Sequence, residues 1–271
     1  MIDAHVHLFP PRTFRSIWRW FETHAWRVRY PLQAPEVLEF LLTRGVERLV
    51  GLCYGHLPGM SQDLNRAMAD WARGEPALVP LGTVLPGEPG AVEVVREALG
   101  PLGLRGLKLH AHVQGVAPDD PALDPIYAEA ASAGAPVVFH AGRAPACAGY
   151  RCDPDLLCGP ERVASVLERH PTLRFVVPHL GADHYDGFEA LLDRHEHLYL
   201  DTTMAIGGYL EPSPDLGVLE RRSERLLYGT DFPNLPFAWD RELKVILDAD
   251  LDSSAPDSIL RGTAERLFRI V

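Results

Sequence analysis

The 271-residue chain has no apolar run approaching the roughly 20 residues that a membrane-crossing helix needs. Its start lacks the basic stretch followed by an apolar stretch that marks a secretory signal. Cysteine is scarce: Cys53, Cys147, Cys152 and Cys158 are the whole supply, too few for a disulfide framework. These three absences set the expectation of a cytoplasmic protein. Positive charge is also short, with 26 Lys and Arg against 37 Asp and Glu and a formal net charge of −11. Without a basic face to meet phosphates, a nucleic-acid partner is not expected. Low-complexity segments and sequence-level repeats are missing too. A small-molecule substrate is the expected partner.

What is present is a rhythm of short apolar runs and longer amphipathic stretches. The runs are Ile2–Val6, Arg48–Cys53, Leu78–Val84, Gly106–Leu109, Pro136–Phe139, Leu173–Val177, Leu198–Asp201 and Arg225–Tyr228. Helical patterns fall between them, over Pro35–Arg44, Ser61–Arg73, Ala91–Leu99, Pro121–Ala133, Pro160–Arg169, Gly187–Arg194 and Asp215–Ser223, and then over Asp240–Asp248 and Ser258–Phe268. Pro35, Pro121 and Pro160 suit first-turn positions, and Gly45, Gly74 and Gly134 can cap helices in the left-handed conformation. Eight strand–helix units without a domain linker predict one (β/α)₈ TIM barrel over residues 1–271. An open doubly wound sheet would call for a Gly-rich turn after its first strand, and this chain has Leu8-Phe9-Pro10-Pro11 there.

The strand ends carry the chemistry. Alternation along the first strand puts His5 and His7 on one face, with Asp3 beside them. The fifth run ends in His140, the sixth is followed by His179, and the eighth leads through Gly229-Thr230 to Asp231. In a barrel these ends meet at the C-terminal mouth. Imidazoles with one carboxylate suit a divalent metal, zinc first, with manganese, iron or cobalt as alternatives. An ion with an open position would lower the pKa of a bound water.

This ordered set, from Asp3-Ala4-His5-Val6-His7 to Gly229-Thr230-Asp231, resembles the amidohydrolase superfamily. More narrowly it is similar to the amidohydrolase 2 branch, which includes aminocarboxymuconate-semialdehyde decarboxylase and related decarboxylases, hydratases and lactonases. Leu81-Gly82-Thr83, Gly106-Leu107-Lys108-Leu109 and Gly262-Thr263-Ala264 extend the resemblance over nearly the whole chain. It implies a single divalent metal held by His5, His7, His140 and Asp231. It also implies that His179 and Asp231 manage protons. Asp3, a carboxylate on the face of the His pair, is read as supporting that pair from behind.

Several features stay open at this level. Lys108 matches the position where binuclear superfamily members bridge two ions, and an inward ion pair is the other reading. His110 and His112 follow it as pocket residues or loop histidines, and His112 is carried as a candidate substrate-binding residue. Arg143, three residues after His140, offers a guanidinium to a substrate carboxylate or forms a structural ion pair. The Trp- and Arg-rich segment Phe9–Tyr30 is either a lid over the mouth or a subunit interface, so a homodimer or other homo-oligomer is expected. Cys147, Cys152 and Cys158 read as unpaired thiols. For the reaction, hydrolysis of a small carboxylate-bearing molecule leads, non-oxidative decarboxylation follows, and a non-catalytic metal- or ligand-binding barrel is third.

Overall fold

The computed structural model describes residues 1–145 and 147–270. Each apolar run becomes a parallel strand: β1 (Ile2–His7), β2 (Arg48–Leu52), β3 (Leu78–Pro80), β4 (Leu107–His110), β5 (Val137–His140), β6 (Phe175–Val177), β7 (Leu198–Asp201) and β8 (Leu226–Leu227). Continuous ladders join β1 to β3 and β4 to β8. Two seams close the ring. At one, the Gly82 amide donates to the Gly106 carbonyl at 2.9 Å and the Lys108 amide to Gly82 at 2.7 Å. At the other, the Asp231 amide donates to His5 at 2.9 Å and the His7 amide to Phe232 at 2.7 Å. The result is the (β/α)₈ barrel that the strand count predicts.

The helices are α1 (Pro11–His24), α2 (Ala34–Leu42), α3 (Met60–Gly74), α4 (Ala91–Leu99), α5 (Ala111–Gln114), α6 (Asp124–Ser132), α7 (Pro154–Leu157), α8 (Pro160–Arg169), α9 (Tyr185–Leu192), α10 (Val218–Arg221), α11 (Arg241–Asp248), α12 (Ala255–Asp257) and α13 (Thr263–Phe268). Local chemistry explains their ends. Pro35 and Pro160 sit in first turns, and Gln33 and Glu36 form a reciprocal cap on α2. Gly45 and Gly134 take positive φ, 90° and 59°, after α2 and α6. Gly74 departs from expectation: it closes the last turn of α3, and Glu75 caps that helix in extended conformation.

The barrel interior is filled at its base by Ile2, Ala4, Val50, Leu52, Val138, Val176 and Leu227, and Leu267 and Phe268 of α13 pack into the same cluster. Strict alternation would then turn His5 and His7 outward. A register shift between Asp3 and Val6 in the β1–β2 ladder changes the phase, so the apolar pair fills the base and the imidazoles face the mouth.

Candidate active site

One cavity of about 30 Å³ at the C-terminal mouth is lined by His5, His7, Lys108, His110, His140, His179, Asp231 and Asn234. Phe21, Trp26, Tyr54, Pro145 and Tyr150 wall it. Every imidazole in the set is buried.

One grouping is His5, His7 and Asp231, whose donor atoms lie within 4.8 Å of one another. His7 Nε2 is 2.9 Å and His5 Nε2 3.3 Å from the same Asp231 oxygen. The ring planes of His5 and His7 cross at 71°. Two steep planes share a line, so one ion can lie in both. The seam between β1 and β8 delivers the carboxylate: Asp231 adopts φ 71°, an uncommon value for a non-glycine residue, while its amide is held by His5.

Asp201, at the end of β7, is a site residue that the sequence reading missed. Its carboxylate accepts from His5 Nδ1 at 2.7 Å and from the backbone amides of His179 and Thr203 at 2.9 and 3.1 Å. A proton on Nδ1 leaves the His5 Nε2 lone pair for the cavity, the arrangement that orients metal-binding imidazoles. Asp3 lies further back. It accepts from the Thr230 hydroxyl at 2.7 Å and from the His5 and Thr230 amides, pinning the two strand ends together. The one available signal for Asp201 was a strand ending in a carboxylate.

His140 stands in a second trio with His110 and His112. The rings of His110 and His140 stack at 4.1 Å with planes 11° apart. Nearly parallel rings at that spacing have no common in-plane point, so these two cannot share an ion as they stand. His140 Nε2 is buried without a hydrogen-bond partner among the described residues. His140 lines the same cavity as His5, His7 and Asp231 but lies outside their 4.8 Å grouping. His179 takes φ 59°, and its Nδ1 meets the Thr203 carbonyl at 2.9 Å. A carbonyl only accepts, so Nδ1 carries the proton and Nε2 is free.

Burial and its neighbours set the charges. Burial, helped by Lys108, lowers the His5 pKa to about 4. Burial also drives His110 and His140 far below the usual imidazole value. Burial opposes ionisation of Asp231, yet His7 and His5 prevail and hold it below the usual carboxylate range. His5, His110 and His140 are thus held as neutral imidazoles and Asp231 as an anionic carboxylate, the states in which such groups bind metal. Lys108 is buried, its Nζ 3.5 Å from His5 Nε2, and burial brings its pKa down to about 8.

The remaining candidates fall elsewhere. Arg143 donates twice to Asp183, at 3.0 and 2.7 Å, and to Asp155 at 2.7 Å, so its fork is filled by the protein's own carboxylates. His112 borders a neighbouring cavity, with Nε2 3.3 Å from the Cys158 thiol. Cys53, Cys147, Cys152 and Cys158 are all free. The segment after β1 folds as α1 and lies over the mouth, where Phe21 and Trp26 reach the imidazole cavity and Trp20 packs on Tyr150 at 4.8 Å.

A family model described as "Amidohydrolase" matches residues 2–270. The chain therefore belongs to the amidohydrolase 2 family, enzymes of small molecules whose members use a divalent metal. Among solved structures, an uncharacterised TIM-barrel protein from Bordetella bronchiseptica is 23% identical, with TM-score 0.76 and 99% of each chain covered. A 5-carboxyvanillate decarboxylase from Novosphingobium aromaticivorans, with bound manganese and 3-methoxy-4-hydroxy-5-nitrobenzoic acid, is 14% identical, with TM-score 0.65 and coverage of 99% of this chain and 97% of the other. A 4-oxalomesaconate hydratase from Rhodopseudomonas palustris is 16% identical, with TM-score 0.68 and coverage of 99% and 95%. No curated protein matches the chain.

Proposed function

We propose that the protein is a metal-dependent carboxy-lyase that removes CO₂ from a small aromatic or conjugated acid. The observation that carries this reading is the wall of the imidazole cavity, where Phe21, Trp26, Tyr54 and Tyr150 surround the donors with rings and leave room for little solvent. Flat apolar walls suit a planar substrate. The decarboxylase and its aromatic acid ligand among the structural relatives support the same choice.

His5, His7, His140 and Asp231 would hold one divalent ion. The nitrogen-rich donor set favours zinc, with manganese next, since that relative carries it. When bound, the ion supplies a positive charge that orients and polarises a carboxylate or carbonyl. Asp201 fixes the tautomer of His5. In the reaction, the carbon that loses CO₂ gains a proton as the C–C bond breaks, so each turnover consumes one proton from solvent. His179, with Nδ1 fixed by Thr203 and Nε2 free, is the group placed to relay it.

Hydrolysis is the second reading. A cavity of about 30 Å³ holds one water, and the anionic Asp231 could take its proton. A cytoplasmic homo-oligomer, packed through the outward arginines of α1, completes the proposal. Protein reconstituted with zinc or manganese should carry about one ion per chain. A panel of aromatic acids, lactones and amides, scored for CO₂ and for acid release, separates the two reactions. Absence of metal uptake would sink both, and acid release without CO₂ would favour hydrolysis.

A further inference from the structure

The imidazole cavity is too small for a substrate, but a second cavity of about 580 Å³ adjoins it. Phe21, Tyr54 and Tyr150 line both, so these three rings form the partition. Beyond the partition the larger space is bounded by Ile17 and Trp20 of α1 and by Val113, and its volume falls within the range of small-ligand sites. Three basic side chains line this cavity and not the imidazole one: His56, after β2, His112, on α5, and Arg151, before α7; His112 faces the Cys158 thiol, which leaves His56 and Arg151.

Arg151 differs from the arginine that the sequence brought forward. Arg143 is filled by Asp183 and Asp155. Arg151 makes no side-chain hydrogen bond or ion pair with the described residues, although Asp153 lies two residues on and the chain carries 37 acidic residues. Its charge lies close enough to His56 to lower that imidazole's pKa, after burial. An exposed guanidinium without a partner among the described residues, beside an exposed imidazole at the edge of an aromatic cavity, presents the fork that binds a carboxylate with two hydrogen bonds.

We propose that the 580 Å³ cavity seats the substrate, and that Arg151, with His56 beside it, binds a second anionic group at the end away from the imidazole cluster. The inference rests on the proposed function, because it assumes that the group next to Asp231 is the one that reacts. The ligand class is a flat molecule with two acidic groups on opposite sides of its ring or conjugated chain. Phe21, Tyr54 and Tyr150 must part for the reacting group to enter.

Trp20 in the wall supplies the readout. In manganese-loaded protein, terephthalate should quench tryptophan fluorescence at a concentration about tenfold below that needed for benzoate, an effect that corresponds to about 1.4 kcal/mol. Arg151→Ala should reduce the ratio to near one without changing the affinity for benzoate, and Arg151→Lys should restore part of it. His56→Gln should lower the ratio by a smaller factor. An unchanged ratio in Arg151→Ala, or failure of both acids to bind, overturns the proposal. Metal content is measured on the same samples. Loss of metal binding with the ratio intact would count against the proposed function alone, and metal at full occupancy with an insensitive ratio would count against Arg151 alone.

Discussion

At the scale of single residues, the candidate site depends on one carboxylate that touches no reacting group. Asp201 holds His5 Nδ1 at 2.7 Å and also ties the amide of His179, so it orients two functional rings from behind. Replacement by Asn keeps the shape and removes the charge. Asp201→Asn should lower metal affinity by 10- to 100-fold, measured by competition with a chromogenic chelator. Affinity equal to that of the parent would show that His5 keeps its tautomer unaided. A second carboxyl makes a separate prediction. Glu242 of α11 is fully buried, with neither oxygen hydrogen-bonded among the described residues, and burial raises its pKa from 4.5 to about 7. Between those values the folded chain keeps a proton that the unfolded chain has released. Its contribution is therefore intact below about pH 4.5 and is lost as pH rises towards 7, at a cost of roughly 3 kcal/mol. Glu242→Gln removes that loss. The variant should be more stable than the parent in urea at pH 8 and nearly equal to it at pH 5.

At the scale of elements, the strands were legible because their apolar runs end abruptly in polar residues. The helices were legible where proline or glycine marked an end, as at Pro160. The segment Phe9–Tyr30 reads as a helix at an interface or as a lid, and the bounds of α1 within it are not legible because its Arg and Trp residues obscure the apolar face. The sequence had Arg143 in the right loop, but its partners Asp183 and Asp155 come from distant or unrelated positions that no local pattern joins to it. The phase change in β1 was equally hidden, since alternation assumes an unbroken ladder. α1 is anchored by Phe14, which is fully buried against Phe9 at 5.5 Å and stacked on Trp18 at 5.1 Å. If the helix is part of the cooperative fold, Phe14→Ala should cost about 3 to 5 kcal/mol in global stability. If it is an independent flap, the urea midpoint should hold while trypsin cuts at the exposed Arg15 and Arg19.

At the scale of the whole molecule, the proposed ligands come from the two ends of the chain and from its middle. His5 and His7 lie on the first strand, His140 on the fifth, and Asp231 just after the eighth. The β1–β8 seam is short, because β8 contributes only Leu226–Leu227 as regular strand, and a few backbone hydrogen bonds with the polar contacts of Asp3 and Asp231 carry the rest. An ion bound by these residues would cross-link that seam in the folded state and find no such arrangement in the unfolded chain. Binding should therefore stabilise the fold by mass action, about 2.7 kcal/mol at a free ion concentration 100 times the Kd. For a chain of this length that corresponds to a rise in Tm of roughly 5 to 10 °C. A chelator should reverse the rise, and the double variant His5→Ala, His7→Ala should not show it. A rise of equal size in the double variant would place the ion elsewhere and remove the seam from the account. A rise absent from the variant but present in Lys108→Met would show that one ion, held without the buried lysine, is enough to lock the barrel shut.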